Sequence, residues 1–115
     1  MKNSSSLLPL ASFLGFTGVG MGAFGAHALK KKLESRGMTA SWQTAVLYQL
    51  FHATALLGLA DLQKERAGQC MAVGNMLFSG SIYCLCLEVG PKKLMGPTTP
   101  IGGLLMMSGW LLVAF

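Results

Sequence analysis

At 115 residues the chain has room for one domain, only 11% of it is charged, and its mean hydropathy is +0.53. So few charges cannot cover a soluble surface, which leaves lipid as the solvent for most side chains. The formal net charge of +5 does not amount to a nucleic-acid surface, because the basic residues cap apolar runs and form no face of their own.

The first apolar stretch, Asn3 to Leu29, carries no charge and exceeds the roughly 20 residues that a helix needs to cross a bilayer. It predicts a span over about 7–29, with Pro9 tolerated in its opening turn. Gly18, Gly22 and Ala26 recur every fourth residue, and Ala11 and Gly15 extend the stripe. Small residues at that spacing let two backbones approach closely, which is how spans associate in lipid. The triplet Ala26-His27-Ala28 after an apolar run also fits a secretory cleavage site, but the run is too long and too glycine-rich for such a signal.

The connection from Lys30 to Ala40 is basic, with Leu29 and Leu33 placed to face the membrane surface and Gly37 to end a short amphipathic turn. Ser41 reads as an N-cap and Trp42 as an interfacial aromatic. The second span, about 41–60, sets Tyr48, Gln49 and His52 on one face, continued by Ala45 and Ala55, with Leu47, Leu50 and Leu57 towards lipid. After a charged turn, the third span, about 69–87, carries Asn75, Ser79, Tyr83 and Cys86 as its own stripe. The segment Val89 to Thr98, rich in Pro and Gly, reads as a connection, with Thr99 as N-cap and Pro100 as first helical residue. A fourth span, about 98–115 and barely long enough to cross, offers Gly102, Gly103 and Gly109 as close-packing sites. The expectation is an all-α, polytopic membrane protein: one domain over 1–115, with four transmembrane helices in a compact bundle.

Six basic residues (Lys30, Lys31, Lys32, Arg36, Lys92, Lys93) fall in the first and third connections, against three (Lys2, Lys64, Arg66) on the other side. The positive-inside rule then puts both termini on the non-cytoplasmic side. Cys70, Cys84 and Cys86 are odd in number and lie in spans, with Cys84 and Cys86 on nearly opposite helix sides. They read as inert buried thiols rather than a disulfide framework or a metal pair.

The candidate intramembrane polar cluster is His27, Tyr48, Gln49, His52, Asn75, Ser79 and Tyr83. The histidines have two readings. They are ligands or proton carriers, or they are neutral rings bonded to Asn75, Ser79, Tyr83 or a carbonyl. Their depths differ by about 10 Å at 1.5 Å per residue, and no carboxylate lies near either, so no metal site or cofactor is expected. Nothing resembles a nucleophile with its base, a phosphate loop or paired carboxylates, so no enzyme is expected.

Several ordered motifs carry a family resemblance: Gly22-Ala23-Phe24-Gly25-Ala26-His27, Tyr48-Gln49 with Phe51-His52, Leu77-Phe78-Ser79-Gly80-Ser81 with Tyr83, Thr99-Pro100-Ile101-Gly102-Gly103, and Gly109-Trp110. Together they resemble the domain of unknown function 423 family over nearly the whole chain. The resemblance implies a multi-pass protein of the bacterial inner membrane, or of mitochondria in animal relatives, and implies no established activity or catalytic residues. The long Lys-rich first connection departs from it, at a place where length is expected to vary. The expected role is an accessory, assembly or interaction component of an energy-transducing membrane, in contact with the lipid bilayer and with other membrane proteins or a second copy. The alternatives are a channel or carrier for protons or a small polar solute between the two stripes and, third, an intramembrane redox or metal enzyme.

Overall fold

The structure is a computed structural model that describes residues 6–115, and it is helical from end to end: α1 (Leu7–Ala26), α2 (Lys30–Arg36), α3 (Thr39–Asp61), α4 (Glu65–Leu87) and α5 (Lys92–Val113). Among the described residues there is no strand. Lys2, part of the charge balance, lies outside them.

Short connections force neighbouring long helices to run antiparallel. α1 packs on α3, α3 on α4, and α4 on α5, with the molecule 49 Å in its longest dimension. Among the described residues, α1 and α4 are the two helices long and apolar enough, by length and composition, to cross a membrane. One apolar cluster joins Leu7, Ala11 and Leu14 to Leu56 of α3 and Met71 of α4. A second joins Leu33 of α2 to Trp42, Tyr83 and Cys86. At the far end the Ser6 amide and hydroxyl both donate to the Glu65 carboxylate, and Gln69 donates to the Ser6 hydroxyl at 3.1 Å, tying the start of α1 to α4.

The small residues sit where backbones meet. Gly18 and Gly22 of α1 face Leu50 and Val46 of α3, and a Cβ on Gly15 would lie 3.9 Å from Ala53. Ala26, at the end of the stripe, is exposed. Gly102 and Gly109 press on the α4 backbone, while Gly103 stands beside Phe78 with room to spare. Gly102 also meets Gly74, which the sequence reading did not single out. A Cβ on Gly74 would come within 2.6 Å of the Met106 nitrogen and 2.7 Å of the Gly102 oxygen.

Four sequence expectations need correcting. α1 stops at Ala26 instead of running to Leu29, because the backbone leaves the helical region at His27. α2 turns its apolar side inward against the bundle, where outward contact was expected. Leu33 is buried in the second cluster, and Arg36 clasps α4, donating to the Cys86 carbonyl at 2.7 Å and pairing with Glu88 at 3.4 Å. Gly37 does end α2, in the left-handed conformation at φ +66° that glycine adopts without strain.

α3 begins at Thr39, so Ser41 is inside it, and Trp42 is buried at 2% exposure rather than seated at an interface. Gly25 provides the notch for its indole, whose N–H donates to the Met21 carbonyl at 2.8 Å. α5 begins at Lys92, behind Pro91, so Thr99 caps nothing and both Pro97 and Pro100 are internal. Each proline removes a donor, but in an apolar setting a helix remains the cheapest way to satisfy the other backbone groups. α5 therefore has 22 residues, about 33 Å at 1.5 Å per residue, and is not short.

Charge is divided between the ends. Lys30, Lys31, Lys32, Arg36, Lys92 and Lys93 gather with Glu34 and Glu88 where α1 and α4 finish and α3 and α5 begin. Lys64 and Arg66 balance Asp61 and Glu65 at the other end.

Candidate functional site

The helical period places Ala45, Gln49, His52 and Leu56 on the buried side of α3, and Asn75, Ser79, Tyr83 and Cys86 on that of α4. The two polar stripes face each other. Gln49 is the hub. Its amide nitrogen donates to the Leu14 carbonyl at 2.9 Å and to the Thr17 hydroxyl at 2.7 Å, and its oxygen accepts from the Tyr83 hydroxyl at 2.7 Å. One side chain thus links α1, α3 and α4, and all its strong contacts lie away from water, where an unmade bond is costly. The Tyr83 ring leans on Trp42 at 4.7 Å between centroids, which joins this hub to the second apolar cluster.

Ser79 ties α4 to α3 directly, donating to the Ala45 carbonyl at 2.7 Å. Asn75, one turn away, has only long contacts from its amide nitrogen, 3.4 Å to the Ser79 hydroxyl and 3.6 Å to the Met106 sulfur. Its oxygen is fully buried with no partner among the described residues.

His52 is 3% exposed. Its Nδ1 lies 2.7 Å from the Tyr48 carbonyl and its Nε2 accepts from the Trp110 indole N–H at 3.1 Å. The neutral ring with its proton on Nδ1 satisfies both contacts at once. Phe51 packs edge-on against the imidazole and tilted against Trp110, with centroids at 5.6 and 5.9 Å. Tyr48 turns to the flank, half-exposed, with its ring against Phe78 at 4.9 Å.

Of the sequence-predicted cluster, Gln49 pairs with Tyr83 and Asn75 with Ser79 in the interior, His52 sits one turn further along, and Tyr48 lines a neighbouring groove. His27 joins none of them; it is exposed at the end of α1. Among the described residues no three His, Cys, Asp or Glu side chains converge as metal ligands, and the cysteines are free. Cys70 and Cys86 point their thiols at the Leu105 and Met38 carbonyls.

Sequence reasoning missed Trp110 as the partner of His52, Thr17 as a partner of Gln49, and Met106 beside Asn75. Thr17 had a readable signal, since it lies one residue from Gly18 on the face turned to α3. The groove, of about 620 Å³, opens between α3, α4 and α5 and is lined by Tyr48, Phe51, His52, Phe78, Gly103 and Trp110 together with Leu47 and two methionines.

Apolar helices joined through the Gln49 hub are the build of a small α-helical membrane protein. The chain belongs to the family described as protein of unknown function (DUF423), whose model matches residues 21–103. It is similar to the UPF0382 inner membrane protein YgdD of Escherichia coli, 40% identical over 118 residues, covering 96% of this chain and 87% of that protein. A UPF0382 membrane protein of Schizosaccharomyces pombe is 40% identical over 110 residues, 88% of this chain and 92% of its own length. One from Staphylococcus haemolyticus is 41% identical over 101 residues, 83% of this chain and 80% of its own length. No solved structure matches.

Proposed function

We propose that this chain spans the membrane four times, through α1, α3, α4 and α5, with both termini on the non-cytoplasmic side, and acts through contacts with other membrane proteins. Its setting is a bacterial inner membrane or an organellar inner membrane of the mitochondrial type, as an accessory or assembly component in energy transduction. On this reading it is not an enzyme. The gathering of basic side chains at one end supports the orientation. Two consequences of the fold support the role. Gln49, Tyr83 and Ser79 find their partners inside the protein, Asn75 Oδ1 excepted, which leaves a channel or carrier path between the stripes with less support. The outward face of α1 is the observation that carries the reading: Phe13, Phe16 and Phe24 stand 56, 81 and 57% exposed around Gly20, where an added Cβ would meet nothing within 4 Å. Aromatic knobs beside a glycine notch suit the close approach of another span.

Orientation is read by adding cysteine at Gln63 or at Lys31 and treating sealed inside-in vesicles with an impermeant maleimide. Gln63→Cys should label at once and Lys31→Cys only after permeabilisation; the reverse order would overturn the topology. For the role, a photo-crosslinker at Phe16 in native membranes should capture a discrete protein band. Gly20→Leu should weaken that capture by about tenfold, which corresponds to about 1.4 kcal/mol, while leaving helicity unchanged. Crosslinks to lipid alone would remove the reading.

A further inference from the structure

We propose that the basic end of the bundle holds an anionic phospholipid, with its phosphate among Lys30, Lys31 and Lys32 and one acyl chain in the groove between α1, α2 and α3. The two ends of the molecule differ in charge. Where α2, α3 and α5 begin, six basic side chains meet two acidic ones, a surplus of four; at the other end Lys64 and Arg66 are matched by Asp61 and Glu65. Arg36 is neutralised by its pairing with Glu88, so the surplus lies on lysines. Lys30, Lys31 and Lys32 are exposed side by side, with Glu34 the one opposite charge on their helix, and among the described residues none of the three forms an ion pair.

A groove of about 300 Å³ opens beside these lysines, and Leu33, the residue after Lys32, forms part of its wall. Its lining changes character along α3. Thr39 and Gln43 stand at the basic end, and Val46, Leu47 and Leu50 follow. From Thr39 to Leu50 is about 16 Å at 1.5 Å per residue, close to the roughly 15 Å of hydrocarbon in one leaflet. A wall that is polar beside cations and apolar beneath them has the profile of one phospholipid.

Charge selects the class. A zwitterionic headgroup brings its own ammonium against the lysines, whereas a phosphodiester of an uncharged alcohol brings only the anion. Lysine stems can lie along the apolar surface while their ammonium groups stay at the phosphate level. Topology alone asks for basic residues at this end; it does not ask for an apolar groove opening beneath them. This step rests on the bundle crossing the bilayer, which sets its basic end at the headgroups.

The test titrates the purified full chain in a neutral detergent with phosphatidylglycerol, and native mass spectrometry reads the lipid bound per chain. Phosphatidylcholine with the same acyl chains should bind at least about tenfold more weakly, because each lysine near the headgroup adds severalfold. Combining Lys30→Gln, Lys31→Gln and Lys32→Gln should erase that preference and leave the thermal midpoint unchanged, since all three are exposed. Gly22→Leu, which adds bulk to the groove, should weaken both lipids alike. Glycerol phosphate, the anion without chains, should not displace the lipid. Equal affinity for the two lipids, a preference that survives the triple variant, or displacement by glycerol phosphate would each overturn the inference. So would a photo-crosslinker at Lys31 that captures a protein in native membranes in place of lipid. If Gly22→Leu fails to fold, the triple variant decides alone. Maleimide labelling of the two ends reports separately on the topology, so a chain that spans and shows no headgroup preference fails this inference only.

Discussion

Gly102→Leu is expected to drive α4 and α5 apart and leave the chain unable to hold its fold in mild detergent. A Cβ at Gly102 would sit 2.6 Å from the Gly74 oxygen and closer still to the Phe78 backbone. Side chains can swing aside; these obstacles are main chain on a continuous helix and cannot. Overpacking of a core usually costs about 1–3 kcal/mol, and a backbone clash belongs at the top of that range or beyond. Against a whole-protein stability of about 5–15 kcal/mol, that is enough to lower the thermal midpoint sharply. Gly58→Leu is the control, since nothing lies within 4 Å of an added Cβ there, and it should change stability by less than about 0.5 kcal/mol. Circular dichroism melts of the two variants in one detergent decide the matter: equal midpoints would mean that α4 and α5 do not meet through Gly74 and Gly102.

Gln49→Leu is the second large effect. Leucine nearly keeps the volume but strands the Tyr83 hydroxyl, which is buried at 8% exposure, and frees Thr17 from its cross-helix bond. The expected loss is about 2 kcal/mol, above the fraction of a kcal/mol typical of one interhelical bond in a membrane, because an orphaned buried donor remains. Tyr83→Phe removes donor and bond together and should cost less. The double variant should then be no worse than Gln49→Leu alone. Strict additivity in that cycle would show that Gln49 and Tyr83 do not bond.

The buried polar stripes were legible in the sequence because the helical period is rigid: Gln49 and His52, then Asn75, Ser79 and Tyr83, fall on one side of their helices whatever surrounds them. Which stripe neighbours meet is set by helix offset and side-chain reach, which no spacing encodes. Tyr83 therefore reaches Gln49, while Tyr48, one residue away, turns outward. Trp42 misled for a different reason. An aromatic near a span's end ordinarily anchors at the headgroups, and only the notch at Gly25, in another helix, reveals that it is interior. The start of α5 was illegible because Pro97 and Pro100 punctuate helices in water, whereas an apolar environment favours a helix that tolerates them. His27 was drawn into the cluster by placing the end of α1 three residues too late.

The Gln49 hub has a bearing on how the polypeptide enters its membrane. α1 and α4 are apolar enough to partition individually, whereas α3, on the proposed four-span topology, carries a glutamine and an imidazole into hydrocarbon. Emerging from a ribosome, α3 finds acceptors for its amide at Leu14 and Thr17 of the helix already made, but the phenol that completes the set arrives only with α4. On that topology the nascent chain holds an unmet amide oxygen between those two moments, so a chain halted after Asp61 would carry an unsatisfied acceptor into the bilayer.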